Sequence, residues 1–119
     1  METILLVTAS RKSADMLLSL IQADGWRPER ILVAGSCNEA RRLLIENHVD
    51  LILINTPLSD EFGHDFAIYA CQNTLSGVLM LVKSELSDSL SERVEQDGVF
   101  VVTKPLPRPM FYPSLPLVN

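Results

Sequence analysis

Cysteine, basic charge and long hydrophobic runs are all scarce in this sequence, and each scarcity closes a class of function. Two cysteines occur in 119 residues, Cys37 and Cys71. They stand far apart, with no C-x-x-C or Cys/His ligand spacing around them, so neither a disulfide framework nor a zinc site is encoded. Both fall in helical patterns and read as small buried or half-buried hydrophobes. Lys and Arg number 10 against 15 Asp and Glu, a net charge of −5. That is the wrong sign for a sequence-independent hold on phosphate backbones, so no direct nucleic-acid partner is expected. The longest unbroken apolar runs are five or six residues, too short to span a bilayer. The start, METILLV, has no basic region ahead of its apolar residues and no small-residue cleavage site. A soluble cytoplasmic protein without membrane association is the expectation.

What is present is ordinary globular material: 47% apolar and 21% charged residues, enough for one core without staples. Five strand-length apolar runs punctuate the chain: Ile4 to Val7, Ile31 to Ala34, Leu51 to Ile54, Val78 to Val82 and Val99 to Val102. None alternates with polar residues, so both faces of each strand should be covered, as in a parallel sheet between helix layers. Between the runs the period becomes helical. Met16, Leu17, Leu20 and Ile21 form one stripe, Ala40, Leu43 and Leu44 a second, Phe62, Phe66, Tyr69 and Ala70 a third, and Leu86, Leu90 and Val94 a fourth. These are core faces. Ser36 with Glu39 forms a capping box, Ser10 or Ser13 caps the first helix, and Gly25 and Gly98 mark helix ends. Strands alternating with helices imply right-handed crossovers and an α/β, flavodoxin-like doubly wound three-layer sandwich, with a five-stranded parallel sheet of order 2-1-3-4-5.

The C-terminus breaks this rhythm. A fifth helix is due, yet Pro105, Pro107, Pro109, Pro113 and Pro116, five of the seven prolines, lie there. Each proline inside a helix costs about 3 kcal/mol, so the fifth helix is short or broken. The chain divides into a domain over 1–106 and a proline-rich tail over 107–119, whose apolar Met110, Phe111, Tyr112, Leu115, Leu117 and Val118 need cover. They cover the last strand as an extended tail or await a partner.

In a doubly wound sheet, ligands bind at the carboxyl ends of the strands near the switch point between strands one and three. Thr8, Ala9 and Ser10, Asn55 to Leu58, Val82 to Glu85, and Thr103 to Pro105 reach that edge. The first strand-to-helix turn, TASRKS, lacks glycine, which excludes a dinucleotide fingerprint and a P-loop. There is no G-x-S-x-G elbow, and neither His48 nor His64 falls where a base for a serine nucleophile would stand. An enzyme is not expected.

The order and spacing of these segments resemble the receiver domains of two-component response regulators, over roughly residues 2–106. ILLV with its turn resembles the first strand. DLILIN followed by TPLSDEFG, with Gly63 eight residues after Asn55, resembles the third strand and its loop. GVLMLV resembles the fourth strand, and VVTKP, with Lys104 and Pro105, the family's Lys-Pro after strand five. More narrowly, the N-x-P-L-x-D-E-F-G run resembles degenerate receivers joined to RNA-binding antiterminator modules of the ANTAR type. In such an arrangement RNA binding would belong to another part of the protein.

The resemblance implies a site that this chain has emptied. A working receiver uses two carboxylates after strand one for Mg²⁺, an aspartate after strand three as phosphoacceptor, a hydroxyl after strand four and the lysine after strand five. Mg²⁺ requires hard oxygen anions and the acceptor must be a carboxylate nucleophile. Here the metal-ligand positions are Thr8 and Ala9, the acceptor position is Asn55, the hydroxyl position is Val82, and Lys104 alone is retained. The implied reading is a pseudo-receiver without metal or cofactor, acting as a phosphorylation-independent regulatory or interaction module in bacterial-type signal transduction. Its expected contact, to a protein partner or a second copy, uses helix four, strand five and the tail. The alternative is a pocket for a small anion or phosphorylated metabolite lined by Thr8, Ser10, Asn55, Lys83 and Lys104 at the start of the first helix.

Overall fold

Strand β1 (Thr3–Thr8) carries Ile4, Leu5, Leu6 and Val7, all removed from solvent on both faces, which only a sheet covered on both sides permits. The computed structural model describes residues 3–23, 25, 27–56, 58, 60, 63–83 and 98–104, apart from the side chains of Leu20, Lys83, Thr103 and Lys104. After β1 follow α1 (Arg11–Ala23), β2 (Arg30–Ala34), α2 (Cys37–Glu46), β3 (Leu51–Asn55), α3 (His64–Asn73), β4 (Gly77–Lys83) and β5 (Val99–Lys104). All four strand pairings are parallel, and the order is β2-β1-β3-β4-β5. The expected topology is therefore the observed one. The expected fourth helix and the proline-rich tail lie outside the described residues.

Local chemistry sets the helix starts. Ser10 Oγ accepts the Ser13 amide at 3.1 Å at the head of α1. At α2, Ser36 Oγ accepts the Glu39 amide at 3.1 Å while Glu39 Oε1 accepts the Gly35 amide at 2.8 Å, a reciprocal cap one residue wider than the usual box. Gly25, with φ of 85°, follows α1, and its amide donates to Gln22 O, a left-handed stop that glycine takes without a Cβ penalty.

Alternation along the strands splits the core into two layers. On one face Ile4, Leu6, Leu53 and Leu81 pack with Leu17 and Ile21 of α1. On the other, Leu5, Val7, Ile52, Ile54, Met80 and Val82 pack with Ala40 of α2 and Phe66, Ala67 and Ala70 of α3. Cys37 is buried and Cys71 half-buried.

Two expectations about burial fail. Met16, placed in the α1 core stripe, is 51% exposed. It lies about 100° around the axis from Leu17, outside the arc of Ala14, Leu17 and Ile21 that meets the sheet. The strands were also expected to be covered on both faces, yet Val33 is 44% and Phe100 67% exposed. Both belong to the outer strands, β2 and β5. Among the described residues no helix is long and apolar enough to cross a membrane.

Candidate functional site

Parallel pairing brings the carboxyl ends of β1, β3, β4 and β5 to one edge, and the register decides which side chains meet there. Thr8 pairs with Asn55, and Asn55 pairs in turn with Leu81. In the next two steps along, Val82 pairs with Thr103 and then Lys83 with Lys104. Asn55 Nδ2 donates to Thr8 Oγ1 at 3.4 Å, and Thr8 is only 2% exposed. The strand end at the switch point is thus a buried neutral hydroxyl bonded to a neutral amide.

The other sequence-identified residues divide. Ala9 and Ser10 are exposed, and Ser10 is engaged as the α1 cap, bonding the Ser13 amide and hydroxyl. Val82 is fully buried in the α2–α3 core layer. Lys83 and Lys104 are cross-strand neighbours by backbone register. The structure therefore joins the side chains of Thr8 and Asn55, and pairs Lys83 with Lys104 by backbone register about two residues further along the strands.

Two residues of the β3–α3 connection organise this edge in ways that local sequence does not signal. Thr56 is buried, and both its amide (3.1 Å) and its hydroxyl (2.7 Å) donate to Leu81 O, fastening the start of the connection to β4. Asp60 reaches across to α2, its two carboxylate oxygens accepting the Cys37 and Asn38 amides at 3.0 Å each. The bond from the Cys37 amide is the main reason its carboxyl is held below the ordinary aspartate range, as expected for an anion at a helix N-terminus. The capping box marked where α2 begins. A second acid arriving from 22 residues away left no mark in the neighbouring sequence.

Gly63, at φ of 121°, turns the chain into α3. A Cβ there would stand 3.3 Å from Ile54 Cγ2 and 3.4 Å from Leu58 Cδ1, so the residue is required by both conformation and space.

The amino end of the sheet is tied by a different acid. Asp50 Oδ2 accepts the Thr3 amide at 2.9 Å, the Asp50 amide donates to Thr3 O at 2.9 Å, and His48 Nε2 lies 3.2 Å from Asp50 Oδ1. The Thr3 bond chiefly holds the Asp50 carboxyl below its ordinary value, helped by His48. His48 is a surface residue beyond α2, and His64 opens α3 beside Asp65. A hollow of about 200 Å³ at this end is lined by Leu44, Asn47, His48, Val49, Thr74, Leu75 and Ser76. Among the described residues no three His, Cys, Asp or Glu side chains gather to hold a metal ion.

Comparison with solved structures identifies the architecture. A two-component response regulator from Clostridium difficile superposes with a TM-score of 0.78 at 21% identity, covering 96% of this chain and 92% of that one. A response regulator of Thermotoga maritima, solved with Mg²⁺ and BeF, gives 0.71 at 20% identity, covering 87% of each chain. The receiver domain of the response regulator TorR, of the TMAO respiratory system, gives 0.70 at 25% identity, covering 89% of this chain and 86% of that one. The chain has the response-regulator receiver fold. No family model and no curated protein matches the sequence.

Proposed function

We propose that this chain is a receiver-like regulatory module of bacterial-type, cytoplasmic signal transduction that works without phosphorylation and without enzymatic activity. The observation that carries the reading is the pairing of Thr8 with Asn55. On a receiver fold these positions would present a metal-binding acid and the phosphoacceptor aspartate. A neutral hydroxyl and a neutral amide neither concentrate a hard divalent cation nor attack phosphorus. Ala9 and Val82 extend the loss to the second acid and to the hydroxyl, so four positions have changed together and Lys104 remains. An ANTAR-type parent is the narrower form of this reading, with RNA contacted by another domain.

The module comprises residues 1–106, followed by the tail 107–119. Its output is a protein contact, to a partner or a second copy, made through residues 84–97, β5 and the tail. Magnesium titration followed by amide shifts tests the emptied site: no saturable change at Thr8, Asn55 or Lys104 is expected, and a saturable response there at sub-millimolar Mg²⁺ would contradict it. Light scattering on the chain ending at Leu106 tests the contact, since an unchanged monomer–dimer balance would remove the tail from it.

One observation favours a second reading. The backbone register pairs Lys83 with Lys104, while Asp60, an acid of the same edge, is committed to the α2 amides. That balance suits a small anion near Thr8, Ser10, Asn55, Lys83 and Lys104. Shift mapping with phosphate and sulfate tests it, and silence of these residues at millimolar anion would exclude it.

A further inference from the structure

β2 ends one side of the sheet, and among the described residues β1 is the only strand paired with it. Its outer edge therefore offers alternate backbone N–H and C=O groups of Arg30–Ala34 as a template for a further strand. Such edges are ordinarily guarded by proline, a bulge or lysine. Here the strand reads RILVA, its register with β1 runs unbroken from Thr3↔Arg30 to Val7↔Ala34, and the single charge stands at its first residue. Val33 is 44% exposed while its register partner Leu6 is fully buried. A neighbour on the other side of Val33 would complete that row of the sheet.

The strand is complementary to itself. Antiparallel pairing about a two-fold axis at Leu32 sets Ile31 opposite the second copy's Val33 and Arg30 opposite its Ala34, each opposed pair on one face. Ile31 packs in the α1 layer, so Val33 shares that face by alternation and gains a β-branched neighbour across the new pairing. Arg30 shares the α2 face with Leu32 and Ala34, and its guanidinium donates to Asn47 Oδ1 at 3.0 Å, just past the end of α2. The residue after Ala34 is Gly35, whose amide holds the Glu39 carboxylate at 2.8 Å, and the Glu39 side chain remains 41% exposed. The pairing therefore brings each Arg30 to the Glu39 of the other copy, twice by symmetry.

The helix layer permits the approach. α2 packs on both β1 and β2, so its axis lies inside the edge. Arg41 stands over Phe66 and Tyr69 of α3, which leaves Glu39, Leu43 and Glu46 on the flank toward the edge, at 100° per residue. A second β2 about 4.8 Å away brings the two α2 axes to about 10 Å, the ordinary distance for packed helices. Leu43 is only partly buried within one copy.

We infer that the outer edge of β2 pairs antiparallel with β2 of a second copy, about a two-fold axis at Leu32, joining two five-stranded sheets into one of ten. This edge is the opposite one to β5, and the inference stands whether or not Asn55 takes phosphate. In a mixed sample of labelled and unlabelled full chains, intermolecular Overhauser contacts between the Val33 and Ile31 methyls are expected. Light scattering should show a dimer that Val33→Lys, a change at an exposed site, turns to monomer. Arg30→Glu and Glu39→Arg should each raise the dimer dissociation constant roughly tenfold, and mixing the two variants should restore it, because the mixed pair regains both opposite-charge contacts. Arg30→Glu leaves the α2 cap intact, so its result decides alone if Glu39→Arg does not fold. A chain that stays monomeric to millimolar concentration would overturn the inference, as it would if another segment of the same chain paired with β2. So would a dimer indifferent to both Val33→Lys and Arg30→Glu, which would place the contact on another surface.

Discussion

Asn55 and Thr8 are register partners at the switch point, and the amide of one donates to the buried hydroxyl of the other at 3.4 Å. The bond joins two neutral polar groups at the carboxyl edge of the sheet. A double-mutant cycle of Thr8→Val and Asn55→Ala measured by urea denaturation should return a coupling of about 0.5–1 kcal/mol. Additive effects would mean that the two residues are neighbours without being partners.

Asp60 supplies a pH-dependent tie between the β3–α3 connection and α2. Its carboxyl lies below the ordinary value of 3.8 because it accepts the Cys37 and Asn38 amides. An acid whose folded value is lowered stabilises the fold above its unfolded value, and that contribution fades as pH falls through the folded one. Asp60→Asn should therefore lower the urea midpoint at pH 7, and its difference from the parent should narrow as pH is taken below 3.8. A constant difference across that range would show that the charge is not what matters. Asp50, lowered by the Thr3 amide and His48, should add to the parent's own acid lability.

Gly63 tests the turn into α3. Gly63→Ala forces a side chain into φ of 121° with its Cβ 3.3 Å from Ile54, and should destabilise by roughly 1–3 kcal/mol. Gly35 is the control, since a Cβ there would meet nothing nearer than Glu39 Oε1 at 3.7 Å. Gly35→Ala should stay within about 0.5 kcal/mol. Equal effects from the two changes would refute the conformational requirement at Gly63.

Much of the fold is legible in the sequence because uninterrupted apolar runs and helical stripes have different periods. The strand runs at Leu51 to Ile54 and Val78 to Val82 match β3 and β4 to within a residue at each end. Parallel topology then places Thr8, Asn55 and Lys104 at one edge. What the pattern does not carry is relation across distance. Met16 reads as core because it adjoins Leu17, although its angle on α1 points it to water. The order 2-1-3-4-5 makes the strand of Phe100 outermost, but nothing in its apolar run tells that this ring is left 67% exposed. Nothing in the sequence around Asp60 signals its bond to the head of α2, which depends on how two connections approach in space. The Thr8–Asn55 contact likewise needed the register, which the order of strands alone does not give.

The claim at the centre is that this receiver fold has lost its phosphorylation chemistry at several positions together. Incubation of the chain, and separately of Asn55→Asp, with Mg²⁺ and a small phosphodonor, followed by intact-mass measurement, tests it most directly. Both proteins should keep their unmodified mass, because restoring the acceptor leaves Thr8 and Ala9 unable to hold the metal. A stoichiometric phosphoryl adduct on the natural chain would contradict the account outright, and one on Asn55→Asp would reduce it to a single substitution.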